Sequence, residues 1–284
     1  MHGWLWVLHG FALFRLYPAF WLLLLLFYWT LLLLAGAVPV AGLVVLILTV
    51  PALSAGFMAA CQAAQQKTPP LPSHLFLPLR HDQRQQLMLG VIYLACMLAL
   101  MVISQLIGGD VLLRLVPPDM PASVPGGVPA TGSEGIPATL PKTLPPAMAF
   151  ELRTGSLVAL LLYTPVMLAF WFAPALCYWH RIGVGKALFF SFFAAWRNAG
   201  AFLVYGLGWL LFMLVAPMMA GAVLGAILPR APQSALLVAA LLVPYLLVVV
   251  CAVILSFYST FTGVFGVPPA VPPPQPKNQT GRNA

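Results

Sequence analysis

The sequence predicts an all-α membrane protein: six transmembrane helices in three hairpins, with cytoplasmic interfacial helices preceding helices 1 and 5. Two observations carry this. Of 284 residues, 62% are hydrophobic and 6% are charged, against about 25% charged in a soluble domain. Six apolar runs also reach the ~20 helical residues that cross a ~30 Å hydrocarbon core. They fall at 19–35, 40–61, 87–107, 157–178, 201–224 and 235–257. The runs are continuous rather than alternating, which excludes barrel strands of about 10 residues. Residues 1–266 therefore read as one polytopic domain.

The first run follows a segment at 3–17 that holds Trp4, Trp6, Phe14, Arg15 and Tyr17. Aromatic rings favour the headgroup layer, and an arginine there buries its stem while its guanidinium stays wet. The segment reads as an interfacial helix that turns at Pro18 into the first span. The small residues at Ala35–Ala37 resemble a signal-peptide cleavage site, but the apolar stretch before them exceeds a 7–15-residue signal core. A retained helix is expected.

The same order recurs before the fifth run. Aligning Arg15 with Arg197 sets Phe11 on Phe193, Phe14 on Trp196, Pro18 on Gly200 and Phe20 on Phe202. Trp196, Arg197 and Asn198 become the second set of interface anchors. Phe189, Phe193 and Trp196 share one helical face, while Ala187, Ser191, Ala194 and Asn198 share another. The aromatic face is expected to meet lipid and the small face protein.

Each hairpin's second helix carries an interior proline: Pro51, Pro174 and Pro244. With Pro165 and Pro217 these are expected helix kinks, since each removes a backbone hydrogen bond and frees the carbonyl four residues earlier. Thr49 and Thr164 stand next to two of these points. Small residues mark expected helix packing: Gly56 and Ala60 in the second run, Gly221 and Gly225 in the fifth.

Orientation follows from the cations. With the N-terminus in the cytoplasm, nine of the 13 Lys and Arg lie inside, from Arg15 to Arg282, and four outside: Arg114, Lys142, Arg153 and Arg230. Both termini are expected in the cytoplasm. Residues 108–150 hold nine prolines among Gly, Ser and Thr and read as a periplasmic loop without a core of its own. The Pro-rich end, 267–284, reads as a disordered cytoplasmic tail.

No Asp, Glu, Lys, Arg or His falls between the expected interfaces. Ionisable groups at membrane depth mark proton relays and ion paths, so their absence argues against a proton-coupled pump and against acid–base catalysis there. The five histidines show no metal-ligand spacing, the four cysteines make no CxxC pair, and no GxGxxG, P-loop or GxSxG occurs. No catalytic residue, cofactor or metal is expected. The scattered cations make no nucleic-acid stripe; their expected partners are membrane lipid headgroups.

The stretches FAPALCYWH (172–180), KALFFS (186–191) and RNAGAFLVY (197–205) resemble a family of uncharacterised proteobacterial inner-membrane proteins. Tyr28 and PALSAGFMAAC at 51–61 support the match. The family ends its last helix with a Tyr and an Arg-Asp pair before a Phe; FYSTFTGVF at 257–265 keeps the aromatics without that pair. The resemblance implies an integral protein of a bacterial inner membrane and no mechanism. The expected function is a non-enzymatic membrane component that packs against lipid or a membrane protein partner. The alternative is a carrier or channel for a small neutral or apolar solute, lined by Tyr93, Gln105, Tyr163, Thr164, Tyr205 and Tyr245.

Overall fold

The computed structural model describes residues 2–38, 40–115, 146–227 and 232–269. Helices α1 (His2–Leu16), α2 (Pro18–Gly36) and α3 (Ala41–Gln65) come first. A short 3-10 turn (Pro72–Phe76) and α4 (Leu77–His81) lead into α5 (Gln83–Leu115). Then come α6 (Pro146–His180), α7 (Val184–Arg197), α8 (Ala199–Leu210), a π-helical turn (Leu211–Val215), α9 (Ala216–Ile227) and α10 (Pro232–Phe265). The six segments long and apolar enough to span a membrane begin at Pro18, Ala41, Gln83, Leu160, Ala199 and Leu236. They pair as α2 with α3, α5 with α6, and the α8–α9 unit with α10.

Several helices outrun the expected spans. α5 continues to Leu115 and α6 starts at Pro146, so both ends of the expected loop are helical; residues 116–145 lie outside the described residues. The apolar runs stop where polar residues begin, whereas backbone hydrogen bonding carries on through them. The tail also begins later than expected. Pro268 is buried, and Gln62 Nε2 donates to the carbonyls of Pro268 and Pro269 at 3.3 and 3.2 Å; residues 270–284 lie outside the described residues.

α3 is the axis of the packing. Its second half, from Pro51 to Ala64, is almost wholly buried. Lipid offers helices no hydrophobic drive toward one another, so association rests on close van der Waals packing. The sequence supplies glycine where backbones meet. A Cβ on Gly42 would lie 1.7 Å from the Ala35 carbonyl oxygen, one on Gly56 2.3 Å from that of Leu75, and one on Gly90 2.1 Å from that of Leu48. Those three contacts fix α2, the 72–76 turn and α5 against α3. α3 then stops in a Schellman motif: Thr68 N–H donates to Ala63 O at 3.0 Å and Lys67 N–H to Ala64 O at 3.1 Å, with Lys67 left-handed at φ 62.

α1 packs one face against α10 and α8 and exposes the other. Gly10 rests on the Ala252 backbone, and Val7 and Leu13 are buried. Trp6, expected at the lipid boundary, is instead 4% exposed, with its indole against Gly263 and edge-on to Phe202 at 5.4 Å. A helix that meets two neighbours buries more of its circumference than a helix resting on lipid, and Trp6 points toward both.

On α7, Ala187, Ser191 and Ala195 are buried against α6, while Phe189, Phe190, Phe193 and Trp196 are exposed. Ser191 also enters the α6 ladder. Phe172 N–H donates to Ser191 Oγ at 2.9 Å, and Ser191 Oγ donates to Leu168 O at 2.8 Å. The hydroxyl thus bridges the two groups that an α-helix bonds directly, in the turn before Pro174.

The prolines behave differently from one another. Pro51, Pro165, Pro174 and Pro244 sit inside α3, α6 and α10. Thr49 bonds Val45 and Leu46, and Thr164 bonds Leu160, so neither hydroxyl reaches a carbonyl freed by proline. A helical Thr reaches back three or four residues, so the freed carbonyl at 47 stands too close to Thr49, while Thr164 takes the carbonyl four residues back rather than the freed one at 161. Pro217 follows the π-turn, in which Ala216 N–H reaches Leu211 O. The next carbonyl in that register, Phe212, faces proline, which has no N–H. Tyr245 OH supplies the donor instead, at 2.7 Å.

Gly221 and Gly225, expected to pack helices, have nothing within 4 Å of a Cβ built on either among the described residues. Their contrast with Gly56 is measurable. Gly56→Ala should destabilise the chain by about 1–3 kcal/mol through overpacking. Gly221→Ala should be neutral or stabilise it by up to about 1 kcal/mol through helix propensity. Unfolding midpoints in one mild detergent check both.

Candidate functional site

α3, α6 and α10 line a half-open cavity of about 300 Å³, completed by Tyr28 of α2 and Tyr93 of α5. α3 gives it Val50, Pro51, Ser54 and Phe57; α6 gives Tyr163, Met167, Phe170, Trp171 and Pro174; α10 gives Ile254 and Phe257. Two kink prolines, Pro51 and Pro174, therefore face the same space. The cavity exists because wide side chains hold its helices apart. Trp171 meets Phe257 edge-on with ring centroids 4.8 Å apart, Tyr93 meets Phe170 at 5.0 Å, and Tyr28 meets Phe57 at 5.3 Å. Edge-to-face pairs of this kind are favourable and geometrically specific. Trp171 is fixed further by its Nε1–H donating to Thr260 Oγ1 at 3.1 Å.

Two of the polar groups in the cavity are already engaged. Ser54 Oγ donates to Pro51 O at 2.7 Å and Trp171 Nε1–H to Thr260 Oγ1, while Tyr28, Tyr93 and Tyr163 bring the remaining hydroxyls of the lining. The lining has no His, Asp, Glu or Lys to act as base or acid.

Beyond the cavity, toward the ends of α3 and α6, lie two buried amides, Gln62 and Gln86, and the exposed Gln65. Trp179 Nε1–H donates to Gln62 Oε1 at 3.1 Å, opposite the two proline carbonyls that Gln62 Nε2 serves. Tyr258 OH donates to Gln65 Oε1 at 2.9 Å, and Gln86 Nε2 to Pro174 O at 3.1 Å. Gln62 alone joins α3, α6 and the segment after α10. Glutamine reads in sequence as an ordinary span end, and this role went unforeseen. The clue was its placement: Gln62, Gln65 and Gln86 each stand one to four residues outside an apolar run.

The expected anchors scatter. Arg15 and Arg197 are exposed, and Trp196 stacks on Phe192 with ring centroids 6.1 Å apart and is 63% exposed. Asn198 ends α7, its Nδ2 donating to Ala194 O at 2.8 Å. Trp4 is half-exposed and stacks over Phe212, Phe14 packs on the core, and Tyr17 meets Phe20 edge-on. Gly56 and Ala60 are buried in α3. Pro165 and Pro244 are exposed, and Pro217 is partly buried.

Of the residues expected to line a path, only Tyr93 and Tyr163 share the cavity. Tyr205 pairs with Ser256 at 2.7 Å and Tyr245 with Phe212, both in filled packing. Thr164 turns back onto its own helix, and the Gln105 side chain lies outside the described residues. Among the described residues, no cluster of three or more His, Cys, Asp or Glu could hold a metal.

A helical bundle with six lipid-length segments, a charge-free interior and apolar outer faces is a multi-pass integral membrane protein. Sequence comparison agrees. Over 211 residues the chain is 33% identical to a probable inner membrane protein of Burkholderia thailandensis, covering 73% of this chain and 72% of that protein. The chain belongs to the family of that inner-membrane protein. No protein-family profile matches the chain, and no solved structure matches it.

Gln62→Met keeps the volume but removes the amide. It should cost about 1–3 kcal/mol, because the Trp179 N–H is left buried without an acceptor. It should also speed limited proteolysis near Pro268, which loses its donor; a protease time course against wild type reads this out.

Proposed function

We propose that this inner-membrane protein is a non-enzymatic component that engages lipid or a membrane protein partner, with both termini in the cytoplasm. The observation that carries the reading is the division of α7. One face is sunk into α6 through Ser191, and the other presents Phe189, Phe190, Phe193 and Trp196 outward beside Arg197. A rigid aromatic face next to a cation suits the headgroup boundary or the flank of another membrane protein. The proposal is supported by a cavity lining that lacks acid–base groups.

A second reading, a carrier for a small neutral or apolar solute, is favoured by the cavity. It is weaker because Tyr205 and Tyr245 sit in packed surroundings rather than along a path.

Native mass spectrometry after mild-detergent extraction tests the choice. A stoichiometric protein partner or retained lipid is expected. Bare chain that conducts a neutral solute in proteoliposomes would instead establish the carrier. Orientation has its own test. A cysteine at Gln66→Cys, in the cation-rich segment after α3, should react with an impermeant maleimide in inverted membrane vesicles and not in spheroplasts. The reverse pattern overturns the topology. Cys61, Cys177 and Cys251 are buried and give little background.

A further inference from the structure

The geometry points to the cavity as a seat for the end of a lipid acyl chain. The inference rests on the reading above, and names the ligand of that site. Its first support is the way in. Tyr163 and Met167 line the cavity and are 40% and 41% exposed, within the span that starts at Leu160. Leu160 and Leu161 beside them are 62% and 73% exposed. In a membrane span such exposure faces hydrocarbon rather than water. What enters there comes from the bilayer.

The second support is the lack of any polar demand inside. Among the described residues, the buried side-chain polar atoms without a partner belong to Gln85, Gln86, Tyr178 and Trp209. None of these lines the cavity, the Ser54 hydroxyl and the Trp171 indole N–H are engaged by protein, and the rest of the lining is apolar apart from three tyrosine hydroxyls. A guest therefore needs no hydrogen-bonding group. A mostly apolar recess that opens toward hydrocarbon accepts an apolar guest.

The third support is size. About 300 Å³ stands at the lower limit of small-molecule pockets and equals roughly ten liquid-water volumes. That space suits part of one hydrocarbon chain and excludes a whole phospholipid. The rest of the lipid stays outside, along Met167 and the exposed leucines of α6.

The test uses the full chain in nanodiscs of phosphatidylethanolamine and phosphatidylglycerol that carry a diazirine at the acyl terminus. After illumination, adducts are mapped by peptide mass spectrometry. Adducts at Met58 or Tyr93 are expected, alongside those on outward positions such as Met167, Leu207 and Met218. Ser54→Leu fills the cavity and should lower the inner adducts at least fivefold. Unchanged outer adducts and unchanged elution would show that this variant folds. Ser54→Ala removes the hydroxyl without filling the space and should label like wild type.

Equal inner labelling in wild type and Ser54→Leu overturns the inference, as does labelling confined to the outer face. Labelling by a free aryl diazirine with none by the lipid overturns the lipid source. Chemical alteration of the recovered lipid would overturn the non-enzymatic reading while leaving the seat in place, so the two failures are separable.

Discussion

Close backbone approach at glycine is what the rest of this structure depends on. In lipid, burying apolar surface between helices gains little over leaving it against acyl chains. The helices must instead approach closely enough for dispersion forces to decide the arrangement. Gly42, Gly56 and Gly90 bring three separate segments onto α3, and Gly3 and Gly10 do the same for α1 on α8 and α10. A methyl group at any of them would collide with a carbonyl. The alanine-rich run from Ala52 to Ala64 fills the intervals, and the large aromatics are displaced to the periphery of α3, where they wedge α6 from α10.

The cavity is a by-product of that division. Where glycine and alanine line a contact, helices close; where Trp171 and Phe257 line it, they stand apart. The aromatic pairs around the opening are held in fixed edge-to-face geometry, and Trp171 is tied to Thr260. The space is therefore a built feature of the bundle. Its lining is mostly apolar, with Ser54 and three tyrosines as the polar exceptions, and a hydrocarbon occupant matches that character.

The spans were legible in the sequence because nothing but a membrane accommodates runs so long and so free of charge. The division of α7 was legible as well, since alternate faces of one helix carried small and aromatic residues. Other features were hidden for physical reasons. Trp6 reads as a boundary residue by type, and only the position of Gly263 opposite it creates the slot it fills. Gly221 and Gly225 have the spacing of a packing face, yet spacing does not supply a neighbour. The cavity joins residues of five helices, from Tyr28 to Phe257, whose adjacency no local pattern encodes. Helix ends were misjudged because hydropathy changes before hydrogen bonding stops.

Ser191 gives α6 a backbone that is not entirely its own. One rung of its ladder runs through an oxygen atom that belongs to α7. Sliding or lifting α7 must break that rung, and the turn it holds together contributes Phe170 and Trp171 to the cavity wall. The outward aromatic surface of α7 and the cavity wall thus meet on one stretch of α6, with the Ser191 hydroxyl among the contacts that join them.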